Sequence, residues 1–348
     1  MSEIKLLDKQ TASKIAAGEV IERPAGVLKE LIENSLDAGA DIVNIDIEKA
    51  GKTLIRVSDN GKGIEEEDLP KTILRHTTSK INDFEDLNNL NTFGFRGEAL
   101  FSVAAISKVS ITSCRRGQSG AKISAEAGKI TARTKAPSIA GTAVEARDLF
   151  FNTPARLKFL KSDSVERAHL LQAAEEAALA NPEVAFNVKV DGVKVYNLPP
   201  QQNTEEGLRK RTAKILGEDL AQTLLYIEDE TYGLRAFVSP ADKLIAARDS
   251  QFFFINRRPV GAKILQQAVY KAYQPYRAKD KHPAVILFMQ LPPVDFDVNI
   301  HPQKKEIKFM EESAVYNFIC KKISAAVLRQ SHAEQLAGAA APQPVPEP

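Results

Sequence analysis

The stretch Lys29-Glu-Leu-Ile-Glu-Asn-Ser-Leu-Asp37 predicts the amphipathic helix around which the first half of the chain folds. Its apolar residues share one face of the helix, and its acidic and amide residues share the other. Pro24 suits the first turn of such a helix, and Gly39 suits its end. Glu30 and Asn34 are one turn apart, so their side chains are neighbours. The carboxylate can accept a proton from water while the carboxamide oxygen binds Mg²⁺, although a solvated acidic face is the commoner meaning of the pattern.

Bulk properties limit the kinds of protein this can be. At 348 residues the chain is long enough for two domains with full cores, and its net charge of +2 requires any nucleic-acid surface to be a local patch. Cys114 and Cys320 are too few and too scattered for a disulfide framework or a zinc site, which fits a reducing cytosol. No apolar run reaches membrane-spanning length and the first residues lack a signal-peptide pattern, so we expect a cytoplasmic protein with no membrane partner.

A second candidate site follows the predicted helix. The alternating stretch Asp41–Glu48 and the stretch Thr53–Ser58 predict two strands, and the second runs into Asp59-Asn-Gly-Lys-Gly63. Asn-Gly is a common hairpin turn. A carboxylate flanked by Gly61 and Gly63 also suits a nucleobase pocket, because glycine permits close approach and the carboxylate accepts a hydrogen bond from the exocyclic amine of adenine. From these residues alone, turn and site both stay open.

A third motif combines glycines with a helix start. An acidic helix is predicted from Glu65, followed by a polar, Asn-rich loop over residues 81–92. Phe93-Gly-Phe-Arg-Gly-Glu-Ala-Leu100 then opens an apolar helix. Gly94 and Gly97 at a helix N-terminus favour an anion site, because unpaired N–H groups and the positive end of the helix dipole face the same way. The loop before them can serve as a lid over a bound phosphate, although a plain loop–helix junction has the same pattern.

These motifs carry a resemblance to a known superfamily. In order along the chain, four motifs resemble the ATP-site motifs of the GHKL (Bergerat-fold) ATPases: Glu30-x-x-x-Asn34, Asp59-x-Gly61-x-Gly63, Gly94-Phe-Arg-Gly97 and Gly141-Thr142. Within that superfamily, three longer stretches resemble the MutL family of DNA mismatch-repair proteins: Ile15–Pro24, Phe93–Leu100 and Phe151–Arg156. The resemblance extends through about residue 330.

The resemblance implies a fold, cofactors and residue roles. The implied fold class is α+β: a GHKL α/β sandwich followed by a second α/β domain with a left-handed βαβ crossover. ATP and Mg²⁺ are the implied cofactors, with Glu30 activating the attacking water, Asn34 binding the metal, Asp59 binding adenine, and Lys304 of the second domain reaching the γ-phosphate as a second catalytic residue. The region 79–100 is the implied ATP lid. The nucleotide-binding residues carried over are Asn34, Asp37, Asp59, Gly61, Gly63, Thr78, Ser79, Lys80, Gly94, Phe95, Arg96, Gly97, Glu98, Ala99, Leu100 and Thr142.

Composition shifts mark the expected domain limits. The linker-like stretch Pro199–Thr204 separates a predicted ATPase domain, residues 1–205, from a second domain, residues 206–331. The second domain contains a predicted strand–helix–strand unit spanning 251–291. Residues 332–348 are rich in Ala, Pro and Gln, and we expect the disordered start of a linker there. The resemblance implies an N-terminal fragment, so any endonuclease activity would lie in a C-terminal domain that the sequence does not include.

The second domain also holds a candidate DNA-binding surface. Residues 257–281 contain one acid, Asp280, among many basic residues, of which the DNA-binding candidates are Arg257, Arg258, Lys263 and Lys271. Such a run is more often a solvated face than a DNA groove. Tyr270, Tyr273 and Tyr276 lie among the basic residues, with a spacing that suits helix packing as well as base stacking. In the resembled family this region contributes to DNA binding.

The resulting hypothesis is an ATPase that acts as a switch in DNA mismatch repair. ATP binding would drive two N-terminal domains to dimerise, and hydrolysis would reset them. The implied partners are DNA, bound with weak sequence specificity, a second copy of the chain, a MutS-like mismatch sensor and a downstream nuclease or helicase; a bacterial protein would be associated with the nucleoid. Alternatives are another GHKL member such as a type II topoisomerase region, a histidine kinase, a DNA clamp that scarcely hydrolyses ATP, and a two-domain α/β protein without a nucleotide.

Overall fold

A computed structural model describes residues 21–78, 97–246, 250–276, 279–297 and 307–339. The described residues divide into two compact units, the first ending at Ile215 and the second beginning at Leu216. Each unit is described by itself below. None of the described helices is both long enough and apolar enough to cross a lipid bilayer.

The first unit is built on an eight-stranded mixed sheet. Its strands are β1 (Ile42–Glu48), β2 (Leu54–Asp59), β3 (Lys108–Cys114), β4 (Gly120–Glu126), β5 (Lys129–Ala136), β6 (Gly141–Arg147), β7 (Ala185–Val190) and β8 (Val193–Leu198). Their order across the sheet is β5-β4-β3-β6-β2-β1-β7-β8. β1 and β7 run parallel, and the other neighbouring strands run antiparallel. The predicted strands at 41–48 and 53–58 are confirmed to within a residue or so at their ends.

Helices cover one face of this sheet. They are α1 (Pro24–Asp37), α2 (Ala99–Ile106), α3 (Pro154–Phe159), α4 (Asp163–Ala180) and α5 (Glu205–Leu216). The helix predicted around residues 29–37 is confirmed, with Val27, Leu28, Leu31 and Ile32 at most 2% exposed. These side chains pack in one core with alternate residues of the strands. The core therefore contains both the apolar face of the helix, with its period of 3.6 residues, and the apolar face of the strands, with a period of two.

The prediction of an acidic helix that begins at Glu65 is wrong. The segment instead contains a short 3-10 helix, Leu69–Ile73, and Leu74 after it is extended. Pro70 explains the difference, because proline lacks the N–H that an α-helix begun at Glu65 would need and also disfavours the helical conformation at Leu69.

The second unit contains a five-stranded sheet and a separate two-stranded ribbon. The strands are β9 (Leu225–Asp229), β10 (Leu234–Val238), β11 (Gln251–Ile255), β12 (Arg258–Pro259), β13 (Val285–Met289), β14 (Phe296–Asp297) and β15 (Lys308–Phe309). The larger sheet has the order β12-β11-β13-β10-β9, and β14 pairs with β15. The helices are α6 (Glu218–Thr223), α7 (Lys263–Ala272) and α8 (Glu312–Ala339). β11 and β13 are parallel neighbours with α7 between them in sequence, which confirms the predicted strand–helix–strand unit; its hand stays a prediction.

Helix α8 continues past the expected start of disorder. Its backbone is helical through Ala339, whereas the composition from residue 332 predicts a disordered tail. The first residues of that stretch, Ala333-Glu-Gln-Leu-Ala337, are strong helix formers, and they extend a helix already begun on the core.

A buried arginine binds α5 to the first unit, and the domain limit expected at residues 205 and 206 stays a prediction. Arg211 is 1% exposed, and its Nη2 donates to the carbonyl oxygens of Pro182, Val184 and Pro199 at 2.7, 2.9 and 2.9 Å. Burial lowers the pKa of Arg211 to about 10, which leaves it charged at neutral pH. The predicted linker at 199–204 is thereby held against the loop that precedes β7.

We expect Arg211→Met to lower the free energy of unfolding by roughly 1–3 kcal/mol, because the buried carbonyl oxygen of Val184 loses this donor, while those of Pro182 and Pro199 keep a hydrogen bond from Gln201. Arg209→Met on the same helix is the control. It removes a partly exposed ion pair with Glu205 at 2.9 Å and should cost about 0–1 kcal/mol. Urea denaturation of both variants measures the difference, and equal losses would contradict the role given to Arg211.

Candidate functional site

The carboxylate of Asp59 lies where α1, β2 and β6 meet. Asp59 is the last residue of β2 and faces Thr142, near the start of β6. Its Oδ2 accepts the hydroxyl proton of Ser35 on α1 at 2.8 Å, and its Oδ1 accepts the backbone N–H groups of Gly61 and Thr142 at 2.9 and 3.2 Å. Helix, turn and neighbouring strand therefore all donate to one carboxylate.

A second set of hydrogen bonds supports this one from β3. The Ser113 Oγ lies 2.8 Å from the Thr142 Oγ1 and donates to the carbonyl oxygen of Gly141 at 3.0 Å. The same Oγ accepts the backbone N–H of Ile64 at 2.8 Å. Ser113 thus joins the start of β6 to the turn that follows Asp59, and it fixes the backbone that carries the Thr142 donor.

Burial and hydrogen bonding act in opposite directions on Asp59. Burial raises the pKa of its carboxyl group above the ordinary value, and the hydrogen bonds from Ser35, Gly61 and Thr142 lower it. Burial is the larger effect. The site therefore stabilises the charged carboxylate less than water does, and perturbed carboxyl groups of this kind are common at functional sites.

The glycines predicted to line this site are required by backbone packing. A Cβ on Gly63, whose φ is +72°, would lie 2.1 Å from the carbonyl oxygen of Cys114. A Cβ on Gly61 would lie 2.9 Å from the Ala38 carbonyl oxygen. In the described structure both glycines thus allow protein backbone to approach protein backbone. Their contact with a nucleotide stays a prediction.

The polar face of α1 borders the Asp59 carboxylate. Ser35 is 4% exposed and its bond to Asp59 fixes the rotation of the helix, while Glu30, Asn34 and Asp37 follow one another along the neighbouring line and are half-buried. The Glu33 carboxylate pairs instead with Lys29, at 3.7 Å. Glu30 and Asn34 share this helix with Ser35, and their closeness to the Asp59 carboxylate stays a prediction.

The start of α2 is the second candidate region. Gly97 packs on the backbone of Thr77, and Glu98 takes the N-cap position of the helix. The Glu98 carboxylate is bound by Arg75 and lies close to His76. Sequence reasoning missed Arg75 and His76, and the one available signal was their place directly before Thr77-Thr78.

Several predicted residues lie outside the described residues. These are Ser79, Lys80, Gly94, Phe95, Arg96 and Lys304. Thr78, Gly97, Ala99 and Leu100 are described, and they lie on the two segments that meet at the start of α2. The nucleotide contacts of all these residues stay predictions.

The DNA-binding candidates lie in two segments of the second unit. Arg257 is in the turn after β11, Arg258 is in β12, and Lys263 and Lys271 are in the first and last turns of α7. Lys271 lines a cleft of about 650 Å³ together with Gln266, Gln267, Tyr270, Gln274, His282 and Tyr316. Tyr273 is 0% exposed and donates its hydroxyl to the carbonyl oxygen of Ser239, so its ring packs in the core and is not free to stack on a base.

Comparisons with known proteins agree with this arrangement. The family model described as histidine kinase-, DNA gyrase B-, and HSP90-like ATPase matches residues 21–149, and the model described as DNA mismatch repair protein, C-terminal domain, matches residues 212–328. The chain is 58% identical over 320 residues to the DNA mismatch repair protein MutL of Elusimicrobium minutum, covering 92% of this chain and 52% of the relative. It is 42% identical over 335 residues to the MutL of Endomicrobium trichonymphae, covering 95% and 56%.

Solved structures of DNA-repair proteins also resemble this chain. The Aquifex aeolicus MutL ATPase domain complexed with ADP matches with a TM-score of 0.61 and 35% identity, over 79% of this chain and 94% of that one. The crystal structure of the N-terminal domain of a DNA repair protein matches with a TM-score of 0.78 and 27% identity, over 92% and 99%.

The first unit, with its eight-stranded sheet, its helical layer and the site at Asp59, is an ATPase domain of the GHKL class. The chain belongs to the MutL family of DNA mismatch-repair proteins. The predicted resemblance and the GHKL fold are confirmed, and the topoisomerase and histidine-kinase alternatives are excluded. The chain spans about half the length of the curated relatives it matches.

The raised pKa of Asp59 leads to a prediction about pH. Between the ordinary aspartate pKa and the raised one, the folded chain binds more protons than the unfolded chain, so this group's contribution to stability falls as pH rises through that window. Asn in this place does not titrate and can still accept from Gly61 and Thr142. We therefore expect the free energy of unfolding of Asp59→Asn, relative to wild type, to increase from pH 3.5 to pH 7. Denaturation in urea across this series measures it, and a difference that is constant or decreases with pH would contradict the assignment.

Proposed function

We propose that the first unit binds ATP at the Asp59 carboxylate and along the polar face of α1, and that it hydrolyses the γ-phosphate. The single observation that carries this proposal is the Asp59 carboxylate itself, held by three donors from three elements in a place whose burial favours the neutral acid. The ADP complex of the related Aquifex aeolicus ATPase domain, 35% identical, supports a nucleotide at this fold.

The Asp59 carboxylate has the capacity for one more hydrogen bond. A carboxylate has about four acceptor positions, of which Ser35, Gly61 and Thr142 use three. Their donors fix its orientation, and the remaining position accepts the exocyclic amine of adenine. Guanine has a carbonyl oxygen in that place and would be repelled. The pocket thus selects adenine by the direction of one hydrogen bond.

Hydrolysis is assigned to Glu30. Its carboxylate accepts a proton from the attacking water, and Asn34, one helical turn later, supplies a carboxamide oxygen for Mg²⁺. The described residues hold no cluster of three or more His, Cys, Asp or Glu side chains arranged for a metal. A single protein ligand fits Mg²⁺, which usually keeps several waters and binds substrate phosphates. When bound, the ion neutralises phosphate charge. Lys304 is proposed to contact the γ-phosphate.

In the whole protein we propose that this ATPase serves as a switch in mismatch repair. ATP binding favours a dimer of two N-terminal regions and hydrolysis releases it, while a mismatch sensor and a downstream nuclease or helicase act as partners. The names of the relatives support the repair role. For DNA, support comes from α7, where Lys263, Gln267 and Lys271 are exposed and follow one another at intervals of four residues along one face.

The role of Glu30 is tested by Glu30→Ala. Turnover at saturating ATP should fall by roughly 10²–10⁴-fold, the effect of losing a general base, while ATP affinity is retained. Phosphate release measures turnover, and equilibrium binding of ATP measures affinity. Glu33→Ala on the same helix removes a carboxylate already paired with Lys29 and serves as the control, which should hydrolyse ATP at nearly the wild-type rate. Undiminished turnover in Glu30→Ala would refute the assignment.

The DNA surface is tested by replacing Arg257, Lys263 and Lys271 together with Glu. If they contact phosphates, DNA affinity should fall and the plot of log K against log[salt] should flatten by about one unit per lost contact, since fewer counterions are released. The control carries the same charge change on Lys243, Lys308 and Lys321, exposed lysines from other parts of the unit. Equal effects of the two triple variants would show that net charge alone is responsible.

A further inference from the structure

Arg75, His76 and Glu98 form a cluster to which the proposed hydrolysis gives no part. The Arg75 Nε donates to the Glu98 Oε1 at 3.1 Å, and the His76 Nδ1 lies 3.5 Å from the same oxygen. The Glu98 side chain is 22% exposed, compared with 52% for Arg75 and 69% for His76. Two neighbouring side chains of one segment thus converge on a single, partly shielded carboxylate oxygen of another.

The position of Glu98 makes the direction of its side chain important. It is the N-cap residue of α2, where the positive end of the helix dipole attracts a carboxylate. Nevertheless, its side chain forms no capping hydrogen bond to the helix. The carboxylate is directed to Arg75 and His76, so it does not cap the start of α2, where the glycine-containing motif predicts an anion site.

The backbone contacts at Gly97 do not fix the direction of the Glu98 side chain. Gly97 has a φ of +63°, and a Cβ on it would lie 2.5 Å from the Thr77 carbonyl oxygen. Close backbone contact therefore sets the distance between the segment of Arg75 and His76 and the start of α2. The contacts with Arg75 and His76 then set the direction of the Glu98 side chain.

We propose that Arg75, assisted by His76, is a positioning residue that holds the Glu98 carboxylate away from the first turn of α2 and so keeps that helix end available to the phosphates of ATP. The inference rests on the proposed nucleotide binding. Without Arg75 and His76 the carboxylate turns to the N–H groups of its own helix, where it competes with phosphate for the same donors and repels it by like charge. Arg75 therefore acts on nucleotide affinity and has little effect on the chemical step.

Equilibrium binding of ATP and phosphate release in three variants test this inference. Arg75→Ala should raise the Kd for ATP by about threefold to tenfold, the range of a charge interaction at a helix end, with kcat at saturating ATP little changed. Arg75→Lys keeps the charge and should retain most of the affinity. Adding Glu98→Ala to Arg75→Ala removes the competing carboxylate but keeps the backbone N–H of residue 98 for the predicted nucleotide contact, and it should bring the affinity back toward wild type.

If the Arg75–Glu98 ion pair only stabilises the fold, the affinities for ATP should follow a different pattern. In that case the double variant would bind ATP no more tightly than Arg75→Ala, which would overturn the inference; so would an Arg75→Ala variant with wild-type affinity. Lys71→Ala, which removes an exposed pair with Asp68 at 2.7 Å in the same part of the chain, is the control and should bind as wild type does. If the wild-type chain binds no ATP, the proposed function itself is overturned. This outcome is measured on the wild-type chain alone, so it is distinguished from a failure of the inference about Arg75.

Discussion

The hydrogen bonds to Asp59 are the interaction on which the site depends. They connect α1, the turn after β2 and the start of β6. Apolar packing is not directional, whereas these hydrogen bonds fix the rotation of the helix and the register of the strand ends. The charge itself is unfavourable in this place, because burial outweighs the donors in setting the pKa. An asparagine of the same shape could still accept from Gly61 and Thr142, but its amide nitrogen could not accept the hydroxyl proton of Ser35. The carboxylate is therefore the side chain that satisfies all three donors.

Close backbone contacts maintain this arrangement. A Cβ on Gly141 would lie 2.0 Å from the Asp59 carbonyl oxygen, and one on Gly63 would lie 2.1 Å from that of Cys114. Any side chain at either position would separate the strand ends, and the Thr142 N–H, already 3.2 Å from the carboxylate, would move out of reach. The glycines of the nucleotide motifs thus act first on the geometry of the protein. What they allow a ligand to do follows from that geometry.

Features that depend on neighbouring residues were predictable from the sequence, whereas contacts between residues far apart along the chain were not. The amphipathic helix α1 and the alternating strands were predictable because their periodicities are local, and the acidic helix from Glu65 was wrong because one local signal was weighed without Pro70. The Ser35 bond to Asp59 spans 24 residues, and a serine beside a polar helix face gives no sign of its partner. Arg211 was missed for a similar reason, since an arginine in an amphipathic helix is usually exposed and its three acceptors lie in other segments.

The carboxylates of the first unit are distinguished by their partners, not by residue type. Glu33 is engaged by Lys29, Glu98 by Arg75 and His76, and Asp59 by neutral donors that orient it without neutralising it. A carboxylate held by a cation is directed to that cation, whereas one held by N–H and O–H groups keeps its charge for a ligand. Within the described residues Glu30 takes part in no ion pair, although it is half-buried on the same helix as Glu33. The absence of an ion pair at Glu30 among the described residues is compatible with the role proposed for its carboxylate, which is to accept a proton from the attacking water.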